Sequence, residues 1–336
     1  MANWKVGIDQ RNQTRNQHFV SQVEQRLNAL NPNARPENQR IYEFEIVDRD
    51  RHEVRSPNKN GRPVNGTLSM LDLFSFDVDD SGTRANFERA FSIHEARIKP
   101  LTGRLLQAHA ERTAAIGQEI FDLFIAKMLN FVRNPYSVAK VLNTFGMMAQ
   151  HHPTEPAIYR AYERVLQGRR PQQARLCQKL NITDEQYGAW LRVLFMLLTP
   201  MAESVSPMLE QVLRNQFLDQ GHALLVHVHT FSSARCLLSD RGITSPIPQD
   251  THLVFDFNLS AHSFIRYAFV NYEAVLGRAL PDGVAQGLRL GPKQLQVSYS
   301  HDDLPALDLF HRRVIEQSSE KVFCSGPSPY GVTLID

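Results

Sequence analysis

The sequence predicts an α+β protein with an N-terminal hairpin region, a central helical bundle and a C-terminal antiparallel sheet closed by a helix. Three observations support this fold class. Residues 41–47, IYEFEIV, alternate apolar and polar side chains as a half-buried strand does. Residues 81–219 repeat apolar side chains at helical spacing, and short alternating runs follow after residue 221. These changes of pattern divide the chain into residues 1–80, 81–220 and 221–336, and we expect the first and last parts to pack together.

The N-terminal region combines a short helix with a hairpin. Apolar residues between Val20 and Leu30 recur at intervals of three and four, which predicts an amphipathic helix that ends before Pro32. The alternating run at 41–47 is followed by the charged segment DRDR and then by a second short run, HEVR. A β-hairpin is therefore the simplest prediction for this segment.

Prolines separate the predicted helices of the bundle, because proline lacks an amide donor and has a fixed φ angle. Thr183 is followed by Asp184 and Glu185, an order that is typical of an N-cap with acidic residues in the first turn. It predicts a helix that continues to Leu198. The prolines that delimit helices stand at positions 135, 153, 156, 171, 200 and 207.

Four alternating runs after residue 221 predict the strands of one antiparallel sheet. A last helix is predicted over 304–320, with its apolar side chains facing the body of the protein. The runs cover residues 224–229, 234–238, 253–259 and 264–269, and the buried face of the helix carries Leu307, Phe310, Val314 and Ile315.

The composition excludes several classes of protein. The chain has 336 residues with 37 basic and 35 acidic side chains, so it lacks the global field that draws proteins onto DNA or anionic lipid. A nucleic acid would therefore contact a local patch only. The cysteines Cys177, Cys236 and Cys324 are too far apart in sequence for a CxxC motif, which indicates a reducing compartment. Cys236 and Cys324 could be nucleophiles, but buried structural thiols are the commoner case.

The N-terminus has no hydrophobic signal core, and the longest apolar stretches are too short to span a bilayer. The sequence therefore predicts a cytoplasmic protein without a membrane span, and export by a signal-independent route stays open. It contains no glycine-rich phosphate loop, so it implies no nucleotide cofactor.

Several segments together resemble one bacterial family. Residues 16–22, NQHFVSQ, look like an opening segment NxHYVPxFYLRxF, and the strand IYEFE follows as it does in that family. Glu88 and Glu95 match a Glu-x6-Glu helix, and the triplet that starts at Arg133 matches an Arg-x-Pro. With these segments the chain resembles domain-of-unknown-function family 4238.

The resemblance extends to the C-terminal part of the chain. Residues 238–240 resemble the start of an SDNP segment, and the closing helix resembles the family's last helix. The chain departs from the pattern at Ser21, where the family has proline, and at Arg241 and Gly242, where it has Asn-Pro. The resemblance implies a fold grouping and carries no established activity.

The charged residues at these positions predict a phosphodiesterase or nuclease site. Glu88 and Glu95 are two helical turns apart and project from one face of a helix. Together with Asp240 they offer hard oxygen ligands for Mg²⁺ or Mn²⁺. His18 would act as the general base, and Arg133 would hold the phosphate in a bidentate contact. The structural alternative is that Glu88 and Arg133 form a buried ion pair and that His18 caps a strand.

His227 and His229 are a second candidate pair. They alternate on a predicted strand, so both rings point to the same face of the sheet. Asp256 or His252 on a neighbouring strand could complete a metal site with them. A polar strand face without a metal is the alternative.

Two further patterns bear on nucleic acids. Arg89 and His94 have the loose Arg-x4-6-His spacing that resembles the helical ribonucleases known as HEPN domains, in which arginine holds the phosphate and histidine is the acid or base. The basic segment 160–175, with Tyr159 and Tyr162 beside it, could meet a nucleic-acid backbone. A solvated helix face is the alternative, because acidic residues interleave.

The leading hypothesis is a metal-assisted phosphodiesterase, a bacterial nuclease used as a toxin or in phage defence. Its expected partners are nucleic acid and a protein such as an inhibitor. Two alternatives stay open. One is a non-catalytic protein-binding or regulatory module in which the charged residues form an interhelical ion network. The other is a metal-free ribonuclease that uses Arg89 and His94.

Overall fold

The structure is a computed structural model that describes residues 9–55, 59–111, 116–245, 252–271 and 295–335. Within these ranges it confirms the predicted α+β class. No described helix is both long and apolar enough to cross a membrane. The α-helices are α1 (Gln22–Leu27), α2 (Glu88–Glu111), α3 (Gly117–Arg133), α4 (Val138–Phe145), α5 (Pro156–Gln167), α6 (Gln173–Leu180), α7 (Asp184–Leu198), α8 (Met208–Leu218) and α9 (Leu304–Gln317).

Within the described ranges, the strands form two sheets of two strands each and two larger sheets. β3 carries the alternating run that the sequence analysis identified. The strands are β1 (Asp9–Asn12), β2 (Asn16–His18), β3 (Arg40–Asp48), β4 (Glu53–Arg55), β5 (Arg62–Pro63), β6 (Ser69–Leu71), β7 (Arg84–Asn86), β8 (His222–Thr230), β9 (Leu238–Ser239), β10 (His252–Ser260), β11 (Ser263–Asn271), β12 (Leu295–His301), β13 (Lys321–Cys324) and β14 (Thr333–Ile335).

The chain divides into two compact units, each assembled from three segments. The first unit contains Met1–Ser21, Leu68–Arg97 and Met128–Leu213. The second contains Gln22–Thr67, Ile98–Lys127 and Arg214–Asp336.

The first unit is mainly helical, and α7 lies at its centre. The predicted N-cap of α7 is confirmed, because Thr183 and Gln186 form a reciprocal capping box. Trp190 of α7 is fully buried, and its indole N–H donates to the carbonyl of Val132 at 2.8 Å. Two short strand pairs, β1 with β7 and β2 with β6, belong to the same unit.

The second unit contains a four-stranded sheet in the order β10-β11-β8-β12. The first three strands are antiparallel neighbours, as predicted. The sequence analysis did not predict β12, which joins the edge of this sheet parallel to β8. A parallel neighbour needs a long crossover connection, and alternation within a strand carries no information about it.

The predicted strand at 234–238 is also wrong. Only Leu238 and Ser239 are extended, and they pair with β13 instead of with the four-stranded sheet. The backbone N–H of Cys236 donates to the carbonyl of Ala261, and that of Leu237 donates to His311 Nε2. These donors are therefore used in a loop and cannot form a strand ladder.

The predicted N-terminal hairpin is confirmed by the antiparallel pairing of β3 with β4. β13, near the C-terminus, pairs with the other side of β3, so strands from distant parts of the chain share a sheet. The strand order of this sheet is β14-β4-β3-β13-β9, with β5 also paired to β3.

One face of the four-stranded sheet packs against α3. The ring of Phe124 contacts the rings of Tyr267 at 4.8 Å and Phe269 at 5.7 Å, with centroids separated as in tilted and edge-on pairs. Lys127, one turn further on, is fully buried and bonds Glu24 Oε1 and the carbonyl of Asn258, both at 2.6 Å. The lysine on the apolar stripe of α3 is therefore the buried partner of a carboxylate.

The last helix, α9, presents its predicted apolar face to the core. Leu307, Phe310, Val314 and Ile315 are all buried. His311, on the same helix, is fully buried and polar. Its Nδ1 lies 2.8 Å from the carbonyl of Tyr330 and its Nε2 accepts the N–H of Leu237, so the ring is neutral with its hydrogen on Nδ1.

We expect His311 to make the protein less stable in acid. Burial lowers the pKa of His311 from 6.5 to about 4. The neutral ring therefore contributes stability that is complete above pH 6.5 and is lost as the pH falls toward 4, by about 3 kcal/mol in total. Urea denaturation between pH 7 and pH 4 should show the stability advantage of wild type over His311→Gln shrinking toward acid pH. A difference that does not change with pH would contradict this assignment.

Candidate functional site

Arg133 and Glu95 form an ion pair between α3 and α2. Arg133 is 1% exposed, and its Nη1 donates to Glu95 Oε1 while its Nη2 donates to Asn130 Oδ1 at 2.9 Å. The guanidinium carbon also lies 5.1 Å from the ring centre of Phe91. The predicted phosphate clamp therefore faces protein groups. A buried ion pair of the kind that the structural alternative expects is therefore present, but the carboxylate partner of Arg133 is Glu95 and not Glu88.

Glu88 and His18 belong to the same unit as this ion pair. Glu88 is the first residue of α2, and its backbone N–H donates to Asn86 Oδ1 at 3.1 Å. His18 lies in β2, opposite Ser69 of β6, and is half-buried. Of the predicted site residues in this unit, the structure shows direct bonding between Glu95 and Arg133.

Asp240 lies in the other unit and holds a turn. Its two carboxylate oxygens accept backbone N–H groups from Ser319 at 2.7 Å, Glu320 at 2.7 Å and Lys321 at 3.0 Å. The residue is 2% exposed, and burial raises the pKa of its carboxyl against the opposing effect of these hydrogen bonds. Asp240 therefore fixes the connection from α9 to β13.

Across the described ranges, no group of three or more His, Cys, Asp and Glu side chains is placed to hold a metal ion. Magnesium or manganese binding by Glu88, Glu95 and Asp240 stays a prediction for experiment.

The sequence also contains the residue spacing of an EF-hand calcium loop, which the sequence analysis above did not identify. Asp77, Asp79, Ser81 and Glu88 stand at positions 1, 3, 5 and 12 of a segment with glycine at position 6. In the structure Asp77 pairs with Arg164 at 2.6 Å. Asp79 accepts the hydroxyl of Ser81 and the N–H of Thr83, across a tight turn. These oxygens stabilise a loop, and we assign no ligand to it.

Arg89 and His94 lie on α2 but do not share a face. Five residues along a helix correspond to a rotation of about 140°, which separates the two side chains. His94 is 5% exposed and points to the interior. The geometry therefore does not favour the ribonuclease alternative that uses this pair.

The basic segment is largely engaged within the protein. Arg164 pairs with Asp77, and Arg169 pairs with Asp80 at 2.9 Å. Tyr162 is 3% exposed and donates its hydroxyl to the carbonyl of His151, so it cannot stack on a base.

The described cysteines are buried. Burial raises the pKa of the Cys236 thiol and raises that of Cys324 to about 11. Both thiols are therefore protonated at neutral pH, as structural cysteines are.

A polar row crosses the second face of the four-stranded sheet. The register aligns Ser298 on β12, His227 on β8, Arg266 on β11 and Asp256 on β10. The next row on this face begins with Ser300 and His229. We call these six residues the histidine face. The prediction that His227 and His229 share one face is confirmed by this register.

Asp256 is not available as a metal ligand. Its carboxylate is fully buried and accepts Nε and Nη2 of Arg266 at 2.7 and 2.9 Å. Arg313 of α9 also donates to it at 3.2 Å. Two positive charges therefore share one negative charge, and both arginine side chains stay partly exposed, at 26% and 21%.

His227 is hydrogen-bonded to Ser298 through Nδ1. Ser298 Oγ lies 2.8 Å from His227 Nδ1 and 3.3 Å from the carbonyl of Val226. If the single hydroxyl hydrogen goes to Val226, the serine oxygen accepts Nδ1–H and Nε2 carries a lone pair; if it goes to Nδ1, the ring hydrogen is on Nε2. This atom is buried and lacks a hydrogen-bond partner among the described residues.

The ring of His229 stacks against the ring of His227. The two rings stack at 4.2 Å, and His229 stacks in turn on Phe264 at 4.2 Å. Phe264 stacks on Phe310 of α9 at 4.3 Å, which completes a column of four rings. Burial, followed by the proximity of His227, lowers the pKa of His229 to about 4. His229 is therefore neutral at pH 7.

His227 is the outer member of this column and is half-buried. Burial, with a smaller effect of Arg266 and an opposing effect of Asp303, lowers its pKa below 6.5. The two imidazole rings are stacked with 29° between their planes. Metal binding by this pair stays a prediction for experiment.

Comparisons with known proteins find no family model, no curated protein and no solved structure that matches this chain. The resemblance to domain-of-unknown-function family 4238 therefore stays a prediction.

Sequence reasoning missed Arg266, Arg313, Ser298 and Ser300. A signal for the serines was present, because Ser-x-Ser at 298–300 repeats the two-residue period of His-x-His at 227–229. The arginines had no such signal, since Arg313 reaches the sheet from a helix.

A small cavity of about 10 Å³ lies beside Asp256, between Thr244, Asn258 and Phe310. Pockets for drug-sized ligands are about 300–1,000 Å³, so this space does not accommodate a nucleotide. Thr244 Oγ1 is buried there and has no hydrogen-bond partner in the described part of the chain, which makes the cavity a place for water.

We expect Glu95→Ala to lower the free energy of unfolding by about 2 to 3 kcal/mol, because it leaves the buried Arg133 without its carboxylate. Arg104→Ala is the matched control. It removes a 67% exposed arginine from its pair with Glu119, and such pairs contribute at most about 1 kcal/mol. Urea denaturation measures both. An unchanged or raised stability of Glu95→Ala would instead indicate a carboxylate kept for function.

We expect Asp240→Asn to lower the free energy of unfolding by about 2 kcal/mol, because an amide has one accepting oxygen for three backbone N–H groups. The loss should be the same in Mg²⁺, in Mn²⁺ and in chelator. Thermal melts check this point. A midpoint that rises with Mg²⁺ or Mn²⁺ in wild type and not in Asp240→Asn would support the predicted metal site instead.

Proposed function

We propose that the protein cleaves phosphodiester bonds and that His227 is its general base. The observation that carries the proposal is the imidazole of His227, whose Nδ1 is bonded to Ser298 and whose buried Nε2 has no hydrogen-bond partner among the described residues. With the ring hydrogen on Nδ1, Nε2 is an acceptor without a donor, and a substrate hydroxyl or water that enters the face would supply the missing hydrogen. His227 would take up that proton in the reaction.

Charge on the same face supports an anionic substrate. Arg266 is the neighbour of His227 across the β8–β11 pair, and Arg313 shares Asp256 with it. Two guanidinium groups around one carboxylate leave one net positive charge beside the base. A phosphodiester carries the complementary single negative charge, and an arginine next to the reacting phosphate stabilises the charge that develops on it.

This proposal retains the predicted reaction class and changes the residues that perform it. Glu88, Glu95, His18, Arg133 and Asp240 receive no step in it. Metal assistance is a separate prediction, and the assays below therefore include arms with Mg²⁺, with Mn²⁺ and with chelator.

A second candidate function is the non-catalytic binding or regulatory module. The observation that favours it is the buried pair of Arg133 and Glu95, which is the kind of interhelical ion pair that this hypothesis expects. It predicts that no variant of the histidine face changes a catalytic rate.

We expect the purified protein to cleave a fluorescent single-stranded oligonucleotide, and His227→Gln to reduce the rate by at least about 100-fold, the usual contribution of a general base. His222→Gln is the matched control. It lies on the same strand, is bonded to Asp219, and should leave the rate within twofold. Both variants should melt within a few degrees of wild type.

The same assay is run from pH 5 to pH 8. Because the pKa of His227 lies below 6.5, the rate should rise with pH in the acid range and level off above pH 6.5. The absence of cleavage in every metal and chelator arm, or equal rates for wild type and His227→Gln, would overturn the proposal and favour the binding module.

A further inference from the structure

Arg192, on α7 of the first unit, is a half-buried arginine without a protein partner. Among the described residues, its guanidinium group makes no hydrogen bond and no ion pair. Its Nε is buried without an acceptor, whereas its two terminal nitrogens reach solvent. A charged group that is taken partly out of water is usually paired, so a ligand that enters from solvent would supply the missing acceptors.

The contacts of α7 place Arg192 between two residues of the preceding helical segment. Gly188, Arg192 and Phe195 are four and three residues apart, so they share one side of the helix. The ring of Tyr162 on α5 packs against Phe195, with ring centres 5.2 Å apart. Arg170, which follows α5, lies over Gly188, because its Nη1 is 3.7 Å from the point where a Cβ on Gly188 would stand. Along this side of α7, Arg192 is therefore positioned between Tyr162 and Arg170.

Arg170 is held by the end of α5 and brings a second positive charge. Its Nη2 donates to the carbonyls of Val165 and Leu166. Burial lowers the pKa of Arg170, with an opposing effect of Tyr187 and a further lowering by the charge of Arg192. The two guanidinium groups are thus close enough to repel each other. We call Arg170 and Arg192 the arginine pair.

The carboxylate at the start of α7 does not neutralise the arginine pair. Asp184 lies about two helical turns before Arg192, and hydrogen bonds from the side chains of Gln173 and Cys177 lower its pKa. Gln173 also accepts Arg170 Nη1 at 3.2 Å. Neither arginine forms an ion pair with a residue that the structure describes. Two positive charges therefore remain together without a bonded carboxylate.

We infer that the arginine pair binds a dianionic phosphate group, either free phosphate or the phosphate of a small monoester. A guanidinium group donates two parallel hydrogen bonds to two phosphate oxygens, and the two terminal nitrogens of Arg192 are available for this contact. A phosphate monoester carries a charge of about −1.5 to −2 at pH 7, which matches two guanidinium groups better than a carboxylate or a phosphodiester does. This site is independent of the function proposed for the histidine face.

Arg192→Met tests the site through a reversal of stability. Methionine keeps an unbranched apolar stem and removes the unpaired charge, so in chloride buffer the variant should melt at the temperature of wild type or above it. In about 10 mM phosphate of equal ionic strength, wild type should gain about 2 °C and the variant nothing, because a ligand raises the midpoint only when it binds the native state. Arg160→Met is the matched control. It removes an exposed arginine of α5 and should gain as much as wild type.

Isothermal titration calorimetry measures the binding directly. Inorganic phosphate and glycerol phosphate should both bind wild type, and acetate should not. Arg192→Met should weaken both affinities at least about 10-fold, since hydrogen bonds to charged groups contribute that much. Equal affinity for the two phosphates would assign recognition to the phosphate group itself, and tighter binding of glycerol phosphate would add the organic part of a monoester.

Three results would overturn the inference. The first is no binding of either phosphate to wild type, which needs no variant. The second is an equal response of wild type and Arg192→Met to phosphate, or an equal response of wild type to acetate. The third is a lower midpoint of Arg192→Met that is the same in chloride and in phosphate, because this would show an arginine that serves packing alone. None of these measurements involves cleavage, so their failure leaves the phosphodiesterase proposal intact.

Discussion

The buried ion pair of Lys127 and Glu24 fixes the part of the second unit on which the histidine face is built. Both side chains are excluded from water, so each charge requires the other. The same ammonium group bonds the backbone carbonyl of Asn258, which holds α1 and α3 against β10. Asn258 is two residues from Asp256 on the same face of that strand. The position of Asp256, and through it those of Arg266 and Arg313, therefore depends on a lysine in a helix.

Hydrogen bonds fix the orientation of the polar side chains of the histidine face. Asp256 orients Arg266, Ser298 orients His227, and Ser300 orients His229. Among the described residues, His227 Nε2 is left without a hydrogen-bond partner, and for this reason we propose His227 as the reacting residue.

Sequence patterns predicted local secondary structure correctly, but they did not predict contacts between residues that are distant in the sequence. Alternation placed His227 and His229 on one face, and the order Thr183-Asp184-Glu185 located the start of α7. The helical spacing of Glu88 and Glu95 was correct as geometry, but it could not show that Glu95 would meet Arg133. Nothing in the sequence around Asp240 indicates that its carboxylate accepts hydrogen bonds from a turn 79 residues further along the chain. The parallel neighbour β12 was missed for the same reason, since pairing across a long connection leaves no periodic trace.

The stacking of the four rings also affects the NMR chemical shifts of the His227 and His229 ring protons. A proton held over the face of an aromatic ring experiences the ring current and resonates at higher field than in water. His229 lies between a second imidazole and Phe264, whose plane is tilted by 11° from its own. Among the 13 histidines of the chain, its ring protons are therefore shifted by a cause that a surface histidine does not share. The column therefore carries a built-in NMR probe next to the residue that we propose as the base.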